Sequence, residues 1–443
     1  MAQLRDLIEH PSHANGRHAD VLIDEVQSLP GTPRGRDSRM ADSLKLVHTT
    51  RLLLDEPILG AGPLSSEERR LVEDATITAF HRIVEACVDR RADVLILSGD
   101  TFDETSFTLR ARATLTDGLE TLDEQGVSVF ITPGTMDSAT SWRRLGNLPD
   151  SVTLFTSEKD SPVEIADRGK TLAVVSCLSP SSRAIASSRP SKAGVLQIGV
   201  IPEGDVPSGR LEEWLDAKVT GWNYLAIGGG DSSRSLRLAN GLAHAPGAPQ
   251  PLRPSGLGAS GCSFIEIDSS GSVHQEQIRT ATVRWEQVHV DCSTSTSWEE
   301  LAEKLALQLL EYETNPIESL WNIEWVLKGR GDVFDSLADP RRQKDLWDAI
   351  DREAHSADVR RRHRLTRESL EMGRDHEAAN LMKEFSDTVS SVLNPQDAFW
   401  KKRGQHFTEM STPWGRKLAG LVENSDVLKV ADEARRLARG WWT

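Results

Sequence analysis

Val94-Leu95-Ile96-Leu97-Ser98-Gly99-Asp100-Thr101-Phe102-Asp103 decides how the chain folds. Val94 to Leu97 is a continuous apolar run, the pattern of a strand covered on both faces. Ser98-Gly99-Asp100 then reads as the turn leaving that strand. Asp100 is either a cap on neighbouring backbone amides or a carboxylate with a function. Strand-end turns carry function in α/β folds, because the loops leaving the sheet edge form the crevice. Upstream, residues 44–48 predict another strand. Between the two strands Ser65 and Glu68 have capping-box spacing, and Val72, Ala75, Ala79, Ile83 and Cys87 follow at helical spacing. Downstream, a helix from Leu109 to Glu124 stops at Gly126, and residues 127–131 form the next strand. Further strands are expected over 171–176, 195–201, 224–227 and 263–267. Strand–helix alternation followed by strand-rich sequence predicts an α/β sandwich and not a pure Rossmann sheet.

After about Arg279 the pattern changes. Residues 283–291 read as a strand, and Ser297 with Glu300 forms a second capping box leading into Leu301, Leu305 and Leu309. Residues 320–328 form a strand, followed by a helix over 342–353 and a short strand near Asp358. This is a compact βαβαβ unit. The remainder reads as helical. Residues 1–42 lack sustained periodicity and are expected to be a disordered extension, with Met40 an alternative start. The expected division is thus 1–42 disordered, 43–282 main α/β domain, 283–367 small α/β domain and 368–443 helical.

Of the 443 residues, 38% are hydrophobic and 27% charged, an ordinary soluble balance. With no apolar stretch near the ~20 residues that span a bilayer and no secretory signal layout, a cytoplasmic protein with no membrane contact is expected. A formal charge of −15 argues against a generally basic, nucleic-acid-coating surface. Cys87, Cys177, Cys262 and Cys292 have no metal-binding spacing and read as small buried hydrophobes. The tryptophans 285, 298, 321, 325 and 347 read as core and not as a base-stacking platform.

Several strand-end loops are distinctive: His48-Thr-Thr-Arg-Leu-Leu-Leu-Asp-Glu-Pro57, Ser98-Gly-Asp-Thr-Phe-Asp103, Thr132-Pro-Gly-Thr-Met-Asp137 and Ala226-Ile-Gly-Gly-Gly-Asp231. Pro246-Gly-Ala-Pro249 and the strand from Gly261 to Asp268 follow. In order, spacing and flanking residues these resemble the SbcD/YhaO-type DNA repair exonucleases of the calcineurin-like metallophosphoesterase superfamily. The resemblance runs from about Leu44 to Asp268 and more weakly to about Arg367. It implies a four-layer αββα sandwich of the metallophosphoesterase type, with a small α/β cap domain and C-terminal helices.

In that family two divalent ions clamp a phosphodiester and activate water, which demands converging carboxylates and imidazoles. The resemblance places the first-motif Asp at Arg51 and its His at Leu53. The shared Asp is Asp100, and the Asn and His of the third motif fall at Thr135 and Met136. An isolated His falls at Pro202, and the Gly-His-x-His positions run from Gly228 through Gly229 and Gly230 to Asp231. These are expected to be vestigial metal-site positions, with no catalytic residue and no cofactor. The alternative is an active site using Asp100, Asp137 and Asp231 around Mn or Mg. Elsewhere His48 reads as a core-facing strand end, His81 lies on the first helix, and His274, His289, His355, His363, His376 and His406 lie at or beyond the end of the domain, so none is expected to substitute.

Arg51 is the most telling change. A guanidinium does not lose its proton and cannot ligate metal. At ~4 Å and an effective dielectric of 20 it disfavours an incoming unit charge by on the order of 4 kcal/mol. Two placements are open: Arg51 pairs with Asp100, with or without Asp231, or it swings into solvent.

From Pro395 to Thr443, nine Lys/Arg stand against six Asp/Glu, and Trp400, Trp414, Trp441 and Trp442 join them. The resemblance implies that such C-terminal helices dock on the coiled coil of an SMC-like ATPase. Packing back on the core is the alternative, and DNA contact and a homodimer stay open. The expected function is a catalytically inactive structural or regulatory subunit in DNA repair or processing. An active metal-dependent exonuclease and a protein-binding module without DNA contact are the alternatives.

Overall fold

The computed structural model describes residues 43–167, 169–187, 194–202, 210–354, 359–369 and 384–385. The N-terminal extension, the alternative start at Met40 and the basic–aromatic C-terminal stretch lie outside the described residues. So do His355, His376 and His406. Among the described residues no helix is long and apolar enough to cross a membrane.

The strands are β1 (Ser43–Thr49), β2 (Val94–Ser98), β3 (Ser128–Thr132), β4 (Val152–Leu154), β5 (Val163–Asp167), β6 (Lys170–Cys177), β7 (Leu196–Ile201) and β8 (Tyr224–Ile227). They continue with β9 (Arg234–Arg237), β10 (Leu242–Ala245), β11 (Gly261–Asp268), β12 (Val273–Arg279), β13 (Val283–Cys292), β14 (Leu320–Gly329) and β15 (Arg360–Ser369). The helices are α1 (Ser66–Glu73), α2 (Ala75–Asp89), α3 (Leu109–Glu124), α4 (Ala139–Arg143), α5 (Ser182–Ser187), α6 (Leu211–Trp214), α7 (Trp298–Leu310), α8 (Asp332–Ser336) and α9 (Pro340–Glu353).

Two six-stranded sheets form the centre, ordered β12-β11-β1-β2-β3-β4 and β5-β6-β7-β8-β10-β9. β1 to β4 run parallel, so their C-terminal turns all leave one edge of the sheet. In β1 and β2 the even-numbered Leu44, Leu46, Val94 and Ile96 meet Val175, Ile198, Val200 and Tyr224 of the opposite sheet. The odd-numbered Val47, Leu95 and Leu97 face α2 and α3 through Phe80, Ile83, Leu115 and Leu119. Gly118 lets those two helices approach, because a Cβ there would fall on the Phe80 ring. The far face of the second sheet carries Ile185 of α5 and Leu211 of α6. The layers are therefore helix, sheet, sheet, helix, the α/β sandwich that the sequence implies.

The two capping boxes form, at Ser65 with Glu68 and at Ser297 with Glu300. The first helical stretch breaks at Asp74 into α1 and α2, so its periodicity spans two rods. The strand expected near Asp358 is β15, which begins at Arg360 and runs to Ser369, into the region where helix was expected. β13, β14 and β15 make a third, wholly parallel sheet with α7 and α9 packed on one face. Trp321 and Trp325 are buried in that core and Trp285 in the contact with Ile58, Val72 and Ala75. Trp298 and Trp347 pack at its margin. All four cysteines are buried thiols.

A buried ion network joins the third sheet to the sandwich: Arg284 bonds Glu286 and Glu318 at 2.6 and 2.8 Å, and Arg279 at the end of β12 bonds Glu318 at 2.8 Å. Arg360 pairs with Glu67, while Arg362 donates to the carbonyls of Ala61 (2.6 Å) and Pro63 (2.5 Å). These bonds fix β15 against the start of α1.

Toward the strand ends the apolar layer between the sheets turns polar. His48, on the same face of β1 as Leu46, bonds Tyr224 Oη at 2.8 Å and Ser98 Oγ at 2.7 Å. His244, facing it from β10, bonds Ser235 Oγ at 2.8 Å and Ser263 Oγ at 2.7 Å. Burial holds both rings below the ordinary imidazole range, His244 to about 4. The unfolded chain therefore binds protons at these sites that the folded chain refuses as pH falls from about 6.5 toward 4. For His244 that gap is worth on the order of 3 kcal/mol. Urea denaturation of wild type and His244→Gln across this window should show wild type losing about that much relative to the variant. A difference that does not change with pH would mean the ring does not stay neutral in the fold.

Candidate functional site

The turns after β1, β2, β3 and β8 converge at one edge of the sandwich. Thr50 ties three of them: its hydroxyl donates to Ser98 O at 2.6 Å and accepts from Gly229 N at 2.8 Å. The turn after β1 is zipped to the turn after β2 by Arg51 N to Gly99 O (3.0 Å), Leu53 N to Asp100 O (3.0 Å) and Leu54 N to Thr101 O (2.9 Å). This pairing holds Arg51, Leu53, Asp55 and Asp100 at φ between 43° and 63°. That left-handed region is uncommon for non-glycine residues and marks a backbone determined by its surroundings.

Arg51 points inward across the edge. Its Nη1 lies 3.2 Å from Asp100 Oδ2 and its Nε 3.1 Å from Asp231 Oδ1. The Asp100 side chain is 0% exposed and that of Asp231 45% exposed, so the guanidinium links a buried carboxylate to one at the rim. The second oxygen of Asp100 accepts the Met136 amide at 2.8 Å and lies 3.4 Å from the Thr135 hydroxyl. Gly134 lies so close that a Cβ there would fall on Asp100 Oδ1 and its backbone nitrogen. From the start of β9 Arg234 reaches over Gly230 and donates to Gly229 O at 3.3 Å. Burial lowers the pKa of the Arg234 guanidinium.

Asp137 has a different task. Its Oδ1 accepts Asp100 N (3.0 Å) and Gly134 N (2.6 Å), and its Oδ2 accepts Thr101 N (2.9 Å) and Trp142 Nε1 (3.0 Å). Burial raises its carboxyl to about 6, against the pull of the Gly134, Thr101 and Trp142 donors. All its acceptor capacity goes into joining the turns after β2 and β3 to α4. Asp103 is a loop cap as well, bonded to Thr105 N at 2.9 Å and Thr105 Oγ1 at 2.7 Å.

The structure brings Arg51, Asp100, Thr135, Met136 and Asp231 together, and joins Gly229 to them through Thr50. Leu53 is turned into the core at 9% exposure, and Pro202 follows β7 with no side-chain atom able to ligate a metal. Among the described residues no group of three or more His, Cys, Asp or Glu side chains is placed to hold a metal ion. The donors therefore do not fit the two-ion centre that the resemblance implies, and Asp100, Asp137 and Asp231 do not assemble as a three-carboxylate site. His48 is bonded beneath the edge, His81, His274 and His289 are exposed elsewhere, and His363 pairs with Asp351. His244 escapes sequence reading. Its strand, residues 242–245, is four residues long and buried on both faces, so no periodicity marks it.

Asp137→Ala would orphan four donors, three of them backbone amides. At about 1–3 kcal/mol for each buried group left without a partner, a loss of at least about 3 kcal/mol is expected in chemical denaturation. A loss below about 1 kcal/mol would mean that Asp137 does not organise the edge.

No family model matches the chain. A curated relative, the uncharacterized metallophosphoesterase YhaO of Bacillus subtilis (strain 168), is 25% identical over 264 residues, which is 57% of this chain. The matched region spans 64% of that relative's length. A solved structure, TT1561 of Thermus thermophilus, matches 53% of this chain and 98% of its own at 12% identity and a TM-score of 0.32. In sequence the chain is thus similar to a metallophosphoesterase, and its own fold is the α/β sandwich described above.

Proposed function

We propose that the chain is a catalytically inactive metallophosphoesterase-like protein that serves as a structural or regulatory subunit in DNA repair or processing. The observation that carries the loss of catalysis is the Arg51 guanidinium, 3.2 Å from Asp100 and 3.1 Å from Asp231. In-line attack on a phosphodiester needs carboxylate and imidazole lone pairs aimed at metal ions. Here those of Asp100 face a guanidinium and a backbone amide, and those of Asp137 face N–H donors. No resident metal is part of this proposal.

The DNA-processing role is supported by the order and spacing of the strand-end motifs, which resemble exonucleases of the DNA-repair type. The name of the curated relative says only metallophosphoesterase. An SMC-like coiled-coil ATPase is the proposed partner, engaged by the basic, tryptophan-bearing stretch from Pro395 to Thr443, and the cytoplasm is the proposed compartment.

Purified protein incubated with linear duplex DNA and MnCl2 or MgCl2 should release no more nucleotide than Asp100→Ala. Cleavage abolished by that substitution would overturn the inactive reading. DNA binding should be measurable without cleavage and should weaken steeply with salt, as phosphate contacts release counterions. Absence of DNA binding, together with capture of a coiled-coil partner, would leave a protein-binding module in its place.

A further inference from the structure

The carboxylates at the strand ends are served by a cation that belongs to the chain. We propose that Arg51 is a built-in counter-cation, holding the turns after β1, β2 and β8 together as a bound divalent ion would, so that the folded edge needs no metal. The inference rests on the inactive reading only in requiring no metal at this site.

The geometry carries it. One guanidinium spans two carboxylates from different strands, through Nη1 to Asp100 and Nε to Asp231. Asp100 is fully buried, and a buried charge that loses its partner is strongly disfavoured. Its other oxygen is held by the Met136 amide, so it cannot rotate to another partner without breaking that bond. Arg51 is held as firmly as its partners: its own amide is bonded to Gly99 O at 3.0 Å and its φ is 50°. The arrangement differs from an exposed surface pair, which is worth little because water screens it.

Thermal denaturation of the full chain at low ionic strength, in EDTA and in millimolar MnCl2, tests this. Wild type should melt at the same temperature in both. Arg51→Met keeps the length of the side chain and removes its charge, and in EDTA it should melt lower by about 3–8 °C. Arg51→Lys should lie closer to wild type than Arg51→Met. A wild-type melting temperature raised by MnCl2 would overturn the proposal. So would an Arg51→Met protein as stable as wild type in EDTA. If Arg51→Met does not fold, adding Asp100→Asn, which keeps the oxygen facing Met136, should restore a folded protein. Failure to do so overturns the proposal too. DNA cleavage and melting temperature are separate readouts, so the inactive reading and this inference can fail independently.

Discussion

A carboxylate removed from water must find donors or a cation, and at this sheet edge that requirement organises every turn. Asp137 is satisfied by N–H groups alone, drawn from the turns after β2 and β3 and from Trp142 of α4. Asp100 is satisfied by one amide and by Arg51. The two solutions depend on one another, because the amide of Asp100 is itself a donor to Asp137. The backbone that places Asp100 in front of Arg51 is thus held by the second buried carboxylate. Gly134 completes the arrangement by leaving no side chain between the two turns.

Much of this was legible from residue types alone. The strand-end motifs and their resemblance set Arg51 and Asp100 at one edge, and left open whether the guanidinium pairs with the carboxylate or swings into solvent. The left-handed turn residues, by contrast, carry no glycine at Arg51, Leu53, Asp55 or Asp100, so sequence offered no sign of their backbone conformation. Short strands were equally silent: β4, β9 and β10 have three or four residues, too few for a period to show. The break at Asp74 was hidden because the buried face of α1 continues onto α2 across a single residue.

The polar layer beneath the edge explains why a histidine pair can sit inside a sandwich without serving a metal. Each ring has both nitrogens within hydrogen-bond distance of hydroxyl groups, supplied by Tyr224, Ser98, Ser235 and Ser263. A hydroxyl can donate to one nitrogen and accept from the other, so a neutral ring is fully satisfied in either tautomer. A ring satisfied as a neutral group has no need of a carboxylate partner, and burial then keeps it uncharged. The network bridges the sheets through bonds and not through charge.

Charge is concentrated one layer further out, two residues along the strand ends from His48 and Ser98, where Thr50 and Asp100 stand. The difference between the two layers lies in water. Inside, desolvation makes any ion costly, and neutral hydroxyl–imidazole bonds prevail. At the edge, Asp231 is half exposed and Arg51 a quarter exposed, so an ion pair retains part of its hydration. Of the two carboxylates that Arg51 meets only Asp100 is dry, and it receives both the guanidinium and a backbone amide. A metal ion placed there would have to displace Arg51 and then find imidazole or carboxylate donors at positions occupied by Leu53, Thr135, Met136 and Pro202. The guanidinium, tethered to the chain, satisfies the same oxygens without drawing an ion from solution.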